Sequence, residues 1–181
     1  MTKIVQKENP VLRKIAKPID KEDIDTPKTK KVIEKMIAAL DGCDDGVAIA
    51  APQIGESLRI FVVSPKIFEI ENSKNKTTNL ETALPSEQKY LIFINPEIIK
   101  KSSRKKIMEE GCLSVRWLYG KIKRHEKVTM TALNEKGEKI TRGASGLLAE
   151  VFQHEVDHLD GKLFIDSATE IFEMKPEKPI N

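Results

Sequence analysis

Gln153-His154-Glu155-Val156-Asp157-His158-Leu159, close to the C-terminal end, is the stretch on which the reading of this 181-residue chain turns. It contains H-E-x-x-H, and Leu147 and Val151 lead into it at helical spacing. Four residues make about one helical turn, so the two imidazoles project from one face and can hold one cation between them. Glu155 stands beside that cation, in position to move protons. Histidine is scarce here: the chain has 3, and the third is His125. The plain alternative is a solvated helix that carries the pattern by chance. A third ligand decides between the two readings.

The downstream sequence does not offer one in a familiar place. Gly161 sits where H-E-x-x-H-x-x-G-x-x-H wants it, but position 164 is Phe. Glu170 and Glu173 follow, yet the sequence stops at Asn181, which leaves little room for a second helical domain bearing a glutamate ligand. Upstream, Cys112 remains as the candidate, within Glu110-Gly111-Cys112-Leu113-Ser114. Its plain reading is a small buried hydrophobe. As a ligand it would bind as thiolate, and Cys112, His154 and His158 would leave a fourth tetrahedral position open, the mark of a catalytic site.

Composition bounds the rest. Apolar residues make up 39% and charged residues 33%, the balance of a well-solvated globule with one substantial core, so residues 1–181 are expected to form a single catalytic domain. A net charge of +3 is too small for a dedicated nucleic-acid binder. No apolar run approaches a membrane span, and no signal-peptide pattern opens the chain. Two cysteines, Cys43 and Cys112, read as free thiols, and the default location is cytoplasmic.

Helix and strand signals are mixed, without internal repeats. Thr26-Pro27 reads as an N-cap with proline at the first helical position, and Val32, Ile33, Met36, Ile37 and Leu40 share one face before Asp41-Gly42 ends the helix. Leu58 to Ser64, Tyr90 to Ile94 and Lys127 to Leu133 read as strands, and Glu135-Lys136-Gly137 as a hairpin turn. Glu71 to Lys89 is polar and reads as an exposed insertion at about 71–89. The last long helix starts near Ser145 and stops at Gly161, its C-cap. Consecutive strands favour α+β with antiparallel sheets over an alternating α/β fold.

Three segments together resemble one family. E-G-C-L-S at 110–114, Q-H-E-V-D-H-L at 153–159 and G-V-A-I-A-A-P-Q at 46–53 are similar to the three signature motifs of the peptide deformylases, in that family's order. Asn9-Pro10-Val11-Leu12-Arg13 and Gly146-Leu147-Leu148-Ala149 extend the resemblance over nearly the whole chain. It implies antiparallel sheets around a central metal-binding helix, with the N-formyl group of N-formylmethionyl nascent polypeptides as substrate. It implies Cys112, His154 and His158 as metal ligands and Glu155 as general base. It also implies Gln53 and the Leu113 N–H as oxyanion donors. Gly46, Val47, Ala48 and Gly111 would pair with the substrate backbone like an added strand. The implied native metal is Fe(II), with Zn(II) or Ni(II) able to occupy the site; ligand type alone favours zinc.

The chain departs from the pattern twice. Ala48 stands where the family has a second glycine, which matters if that position needs positive φ. Arg116-Trp117 follows E-G-C-L-S-V where proline is usual, leaving Arg116, Trp117 and Tyr119 as either a rim over the cleft or surface packing. The competing functions are a small zinc endopeptidase and a catalytically weakened metal-binding family member. Asp157 reads as an acceptor for a ligand imidazole or as part of a local network. From Asp166 onward Asp166, Glu170, Glu173 and Glu177 outnumber Lys175 and Lys178, a poor partner for ribosomal RNA. A weak ribosome association would use Lys100, Lys101, Arg104, Lys105 and Lys106, which otherwise read as a solvated strand or turn.

Overall fold

A computed structural model describes residues 2–74 and 90–175. The fold is α+β, and all strand pairings in both sheets are antiparallel. In chain order the elements are α1 (Pro27–Asp41), β1 (Ala48–Ala50), β2 (Ile60–Val63), α2 (Lys66–Lys74), β3 (Leu91–Lys101), β4 (Lys105–Gly111), β5 (Leu118–His125), β6 (Lys127–Leu133), β7 (Lys139–Ser145), α3 (Gly146–Leu159) and β8 (Glu170–Glu173). One sheet has the order β1-β2-β3-β6-β7, the other β4-β5-β8. Helix α3 packs against β1, β3, β6 and β7 of the first and β5 of the second. The helix carrying H-E-x-x-H is therefore wrapped by both sheets.

The apolar patterns explain this layering. Every residue of β2 is buried, because both faces of the sheet are covered. Phe61 and Val63 point into the cluster beneath α3, while Ile60 and Val62 join Val32, Ile33, Met36 and Leu40 of α1 on the opposite face. Beneath α3, Phe61, Phe93 and Phe152 form an aromatic trio with centroids 4.8 to 5.9 Å apart. Burying each ring contributes about 1.5–3 kcal/mol. The expected α1 stands as read, with Thr26 Oγ1 accepting from Thr29 N–H and Pro27 in its first turn.

Several boundaries differ from expectation. The strand read at Tyr90 to Ile94 runs on to Lys101, through Pro96, because the ladder with β6 shifts register between Ile94 and Glu97 and needs no proline N–H there. The polar stretch read as an insertion begins too early. Residues 71–74 finish α2, and Glu71 Oε1 accepts from Leu148 N–H (3.2 Å), supplying the N-terminal cap of α3 that Ser145 does not. The rest of that expected insertion, 75–89, lies outside the described residues.

The glycine expected to cap helix α3 does so, two residues past the end of the helix. Its last residue is Leu159, and Gly161 follows at φ +74°. Gly161 N–H donates to His158 C=O and Lys162 N–H to Asp157 C=O, a Schellman closure. A Cβ at Gly161 would also come within 2.9 Å of the Arg13 carbonyl, so both conformation and space require glycine. The turn fixes where the helix stops, one residue beyond the second imidazole, His158.

Candidate active site

Leu147, Val151, His154 and His158 share one stripe of α3 that is largely buried, with Val151 6% and His158 1% exposed. Leu148, Phe152 and Leu159 fill the core, while Leu147, Val151 and His154 line a cleft of about 250 Å³. That offset exposes one edge of the stripe to incoming substrate. His154 and His158 stand one turn apart, ring centroids 4.9 Å from each other, and Phe164 stacks on His154 at 6.3 Å.

Cys112 follows the end of β4 and meets the helix from the second sheet. One donor atom each from Cys112, His154 and His158 all lie within 4.8 Å of one another. Cys112 Sγ is 3.1 Å from His158 Nε2. A tetrahedral cation bound at ~2.0–2.3 Å separates its ligand atoms by about 3.3–3.6 Å, so this donor set fits one ion of the soft-to-borderline kind. Ser114 N–H also donates to Cys112 Sγ (3.4 Å).

Glu110 orients the first imidazole. Its Oε2 lies 2.9 Å from His154 Nδ1, leaving Nε2 for a cation. Burial would raise the Glu110 carboxyl, but hydrogen bonds from His154 and Arg124 prevail and hold it at about 2. Arg124 binds it in bidentate fashion, Nε to Oε1 at 2.6 Å and Nη2 to Oε2 at 3.0 Å. The same guanidinium donates from Nη1 to Asp157 Oδ2 (2.5 Å). Asp157 thus belongs to a local network and touches neither imidazole through a hydrogen bond. The sequence reading gave Glu110 and Arg124 no role. Proximity of Glu110 to Cys112 was a usable signal; Arg124, alone on β5, offered none.

Glu155 is 4% exposed, and its Oε2 has no hydrogen-bond partner among the described residues. Burial pushes its carboxyl up to about 7, although the nearby His154 works in the opposite direction. A group at that value takes and returns a proton near neutrality. Gln53 lies in the short helical turn Ala51–Ile54 after β1. Its Oε1 accepts from Ala50 N–H (2.8 Å), which fixes the amide so that Nε2 faces Ser114 Oγ (3.3 Å) and Cys112 Sγ (3.6 Å). Leu113, also at the cleft, has no hydrogen-bond partner for its N–H among the described residues.

Strand β1 is an edge strand, and the cleft lies along it. Val47 C=O accepts from Ser64 N–H, so the ladder's alternation turns the N–H and C=O of Ala48 outward. Ala48 itself is extended and its methyl is buried in the core, so alanine in place of glycine costs no positive-φ strain. Gly46 and Gly111 both line the cleft as close approaches. A Cβ would meet Leu40 Cδ1 at 2.8 Å and the Tyr119 ring at 2.7 Å, respectively. Arg116, Trp117 and Tyr119 all line the cleft, and Tyr119 also stacks on Phe172 of β8 at 6.2 Å.

A thiol and two imidazoles converging beside a buried carboxyl group, one of whose oxygens has no partner among the described residues, under an open strand edge, define a metal-dependent hydrolase for a peptide-like substrate. The polypeptide deformylase family model matches residues 1–173, and the chain belongs to that family, whose members remove the N-formyl group from nascent peptides using a divalent metal. Peptide deformylase 2 of Clostridium acetobutylicum is 37% identical over 163 residues, covering 90% of this chain and 92% of that protein. The peptide deformylase of Thermotoga maritima superposes with a TM-score of 0.76 at 35% identity, covering 94% of this chain and 99% of that one. A class I type b peptide deformylase from Acinetobacter baumannii with Met-Ala-Ser bound matches with a TM-score of 0.74 at 30% identity, covering 91% and 96%.

Proposed function

We propose that deformylation in this chain runs on one divalent ion held by Cys112, His154 and His158, with Glu155 moving the protons. The observation that carries the reading is Glu155: a buried carboxylate with an unpartnered oxygen, adjacent in sequence to one proposed ligand, raised to about 7. The bound ion would supply a Lewis acid that activates water and polarises the formyl carbonyl. Glu155 takes the water's proton and returns it to the leaving amine. Gln53 Nε2 and Leu113 N–H donate to the oxyanion. Residues 46–48 and Gly111 bracket the substrate backbone as an added strand, and the Acinetobacter baumannii deformylase has the peptide Met-Ala-Ser bound.

Fe(II) is the proposed native ion, and nascent formylmethionyl chains in the cytoplasm the proposed substrate. No helix among the described residues is long and apolar enough to cross a membrane. A formate-release assay on anaerobically purified protein, with metal content measured, tests the whole reading. Turnover of formyl-Met peptides is expected, with cleavage of internal peptide bonds absent. Iron-loaded enzyme should lose activity in air, through the iron and its thiolate, faster than zinc- or nickel-loaded enzyme. Equal loss in all three forms would move the cause elsewhere, to Cys43 for instance.

Ribosome contact is proposed to use the basic patch and to leave the C-terminal segment aside. Lys100 and Lys101 end β3 and Lys105 and Lys106 open β4, all exposed, with Lys123 and Lys162 beside Lys101 and Lys105 around a shallow basin. The segment after Asp166 is tied down instead, because Glu170–Glu173 pairs with β5 as β8. Charge reversal at Lys105 and Lys106 should weaken co-sedimentation with ribosomes, while deletion after Met174 leaves it unchanged. Binding lost on tail deletion alone would reverse the assignment.

A further inference from the structure

The departure at Arg116-Trp117 creates a contact between the two walls of the cleft. Arg116 Nη1 donates to Asp45 Oδ2 at 2.5 Å. Asp45 belongs to the loop that leads from α1 into β1; Arg116 belongs to the loop that carries Cys112 and Leu113. The Trp117 ring lies under the guanidinium, 4.8 Å from centroid to Cζ, and limits where the arginine can reach. Asp45, Arg116, Trp117 and Tyr119 line both the metal-side cleft and an outer basin of about 450 Å³, so the pair stands at the boundary between them. β1 runs from Gly46 toward Gln53 and the Cys112 side. A peptide laid antiparallel on its free edge, with its first residue at Cys112, therefore leaves the cleft past Gly46 and Asp45.

We propose that Asp45 and Arg116 form a clasp that pins the strand-edge wall to the Cys112 wall at the outer end of the peptide cleft, making both residues positioning residues for the downstream part of the substrate. The proposal rests on the deformylase reading for its substrate. Its structural half, that the pair orders the edge of residues 46–48, stands apart from activity. The pair is partly exposed, 25% for the arginine side chain and 51% for the aspartate, which limits the effect to that of a surface ion pair. Arg116 lies outside the Glu110–Arg124–Asp157 network, so loosening the clasp should spare the chemistry at Glu155.

The test compares wild type with Asp45→Asn, Arg116→Gln and the exchanged pair Asp45→Arg/Arg116→Asp. For a formylated tetrapeptide, each single variant should raise KM about threefold, the scale of one exposed ion pair, with kcat within about twofold of wild type. The exchanged pair should bring KM back toward wild type. Hydrogen exchange at the amides of residues 46–48 should quicken in both single variants and slow again in the exchanged pair. If wild type releases no formate, the deformylase reading fails, and the exchange measurement alone still judges the clasp. Unchanged KM and unchanged exchange in both single variants would overturn the proposal. So would singles whose defects the exchanged pair does not repair, because those defects would then not come from the charge pair.

Discussion

Glu155→Ala should lower kcat by about two to four orders of magnitude while the protein keeps its metal. Cys112→Ala, His154→Ala and His158→Ala should each release the metal and abolish turnover with it. The split follows from what each atom faces. Cys112 Sγ and the imidazole nitrogens converge within 4.8 Å, whereas Glu155 lies outside that group of three and keeps an unpartnered oxygen. Removing Glu155 takes away a proton carrier but no ligand. Removing a ligand leaves two donors, too few to hold a labile divalent ion against buffer. Metal analysis of the four purified variants, beside formate release, is the measurement. A metal-free Glu155→Ala protein, or a fully metallated Cys112→Ala protein, would reassign these roles.

The parts of the site that the sequence made legible share one property: each is local. Two histidines four apart, an apolar run leading into them, a proline after a threonine cap and a glycine at a helix end all report on neighbours within one or two turns. So α1, α3 and β2 could be read from spacing, and Gly161 from its chemistry. The charged strands could not. Lys105–Gly111 and Lys139–Ser145 are half-exposed ladders of polar residues, held by pairing partners elsewhere in the chain. Glu71 looked like part of a polar insertion because its function, capping α3 from 77 residues away, leaves no mark nearby. Ala48 looked like a defect because its backbone conformation is set by pairing with Val63. Arg116 and Asp45, 71 residues apart, are the same case on the substrate side.

Arg124 is the site residue that local reading had least chance of finding, and its replacement should be the most destabilising change near the site. Glu110 is 2% exposed, and Arg124→Met would leave its carboxylate buried without its cation, a loss of about 3–5 kcal/mol. Asp157, with a side chain 28% exposed, can turn to water and adds little to that cost. The acid limb of stability carries the same information. Glu110 falls from its usual 4.5 to about 2 in the folded protein, held down by His154 and Arg124 against burial. A depressed carboxyl stabilises the fold above its unfolded value, and that contribution disappears as pH falls from about 4.5 toward 2, about 3 kcal/mol in all. Urea melts at pH 7 and pH 3.5 should therefore show a large gap between wild type and Arg124→Met at the higher pH and a smaller one at the lower. Glu110→Gln/Arg124→Met should recover most of the loss at pH 7, because no unpaired charge is then left inside. His154 would still lack its carboxylate partner in that double variant, so stability should return while metal affinity stays reduced. A single variant as stable as wild type at pH 7 would mean that water reaches Glu110, and that the ion pair is not what holds the first imidazole in place.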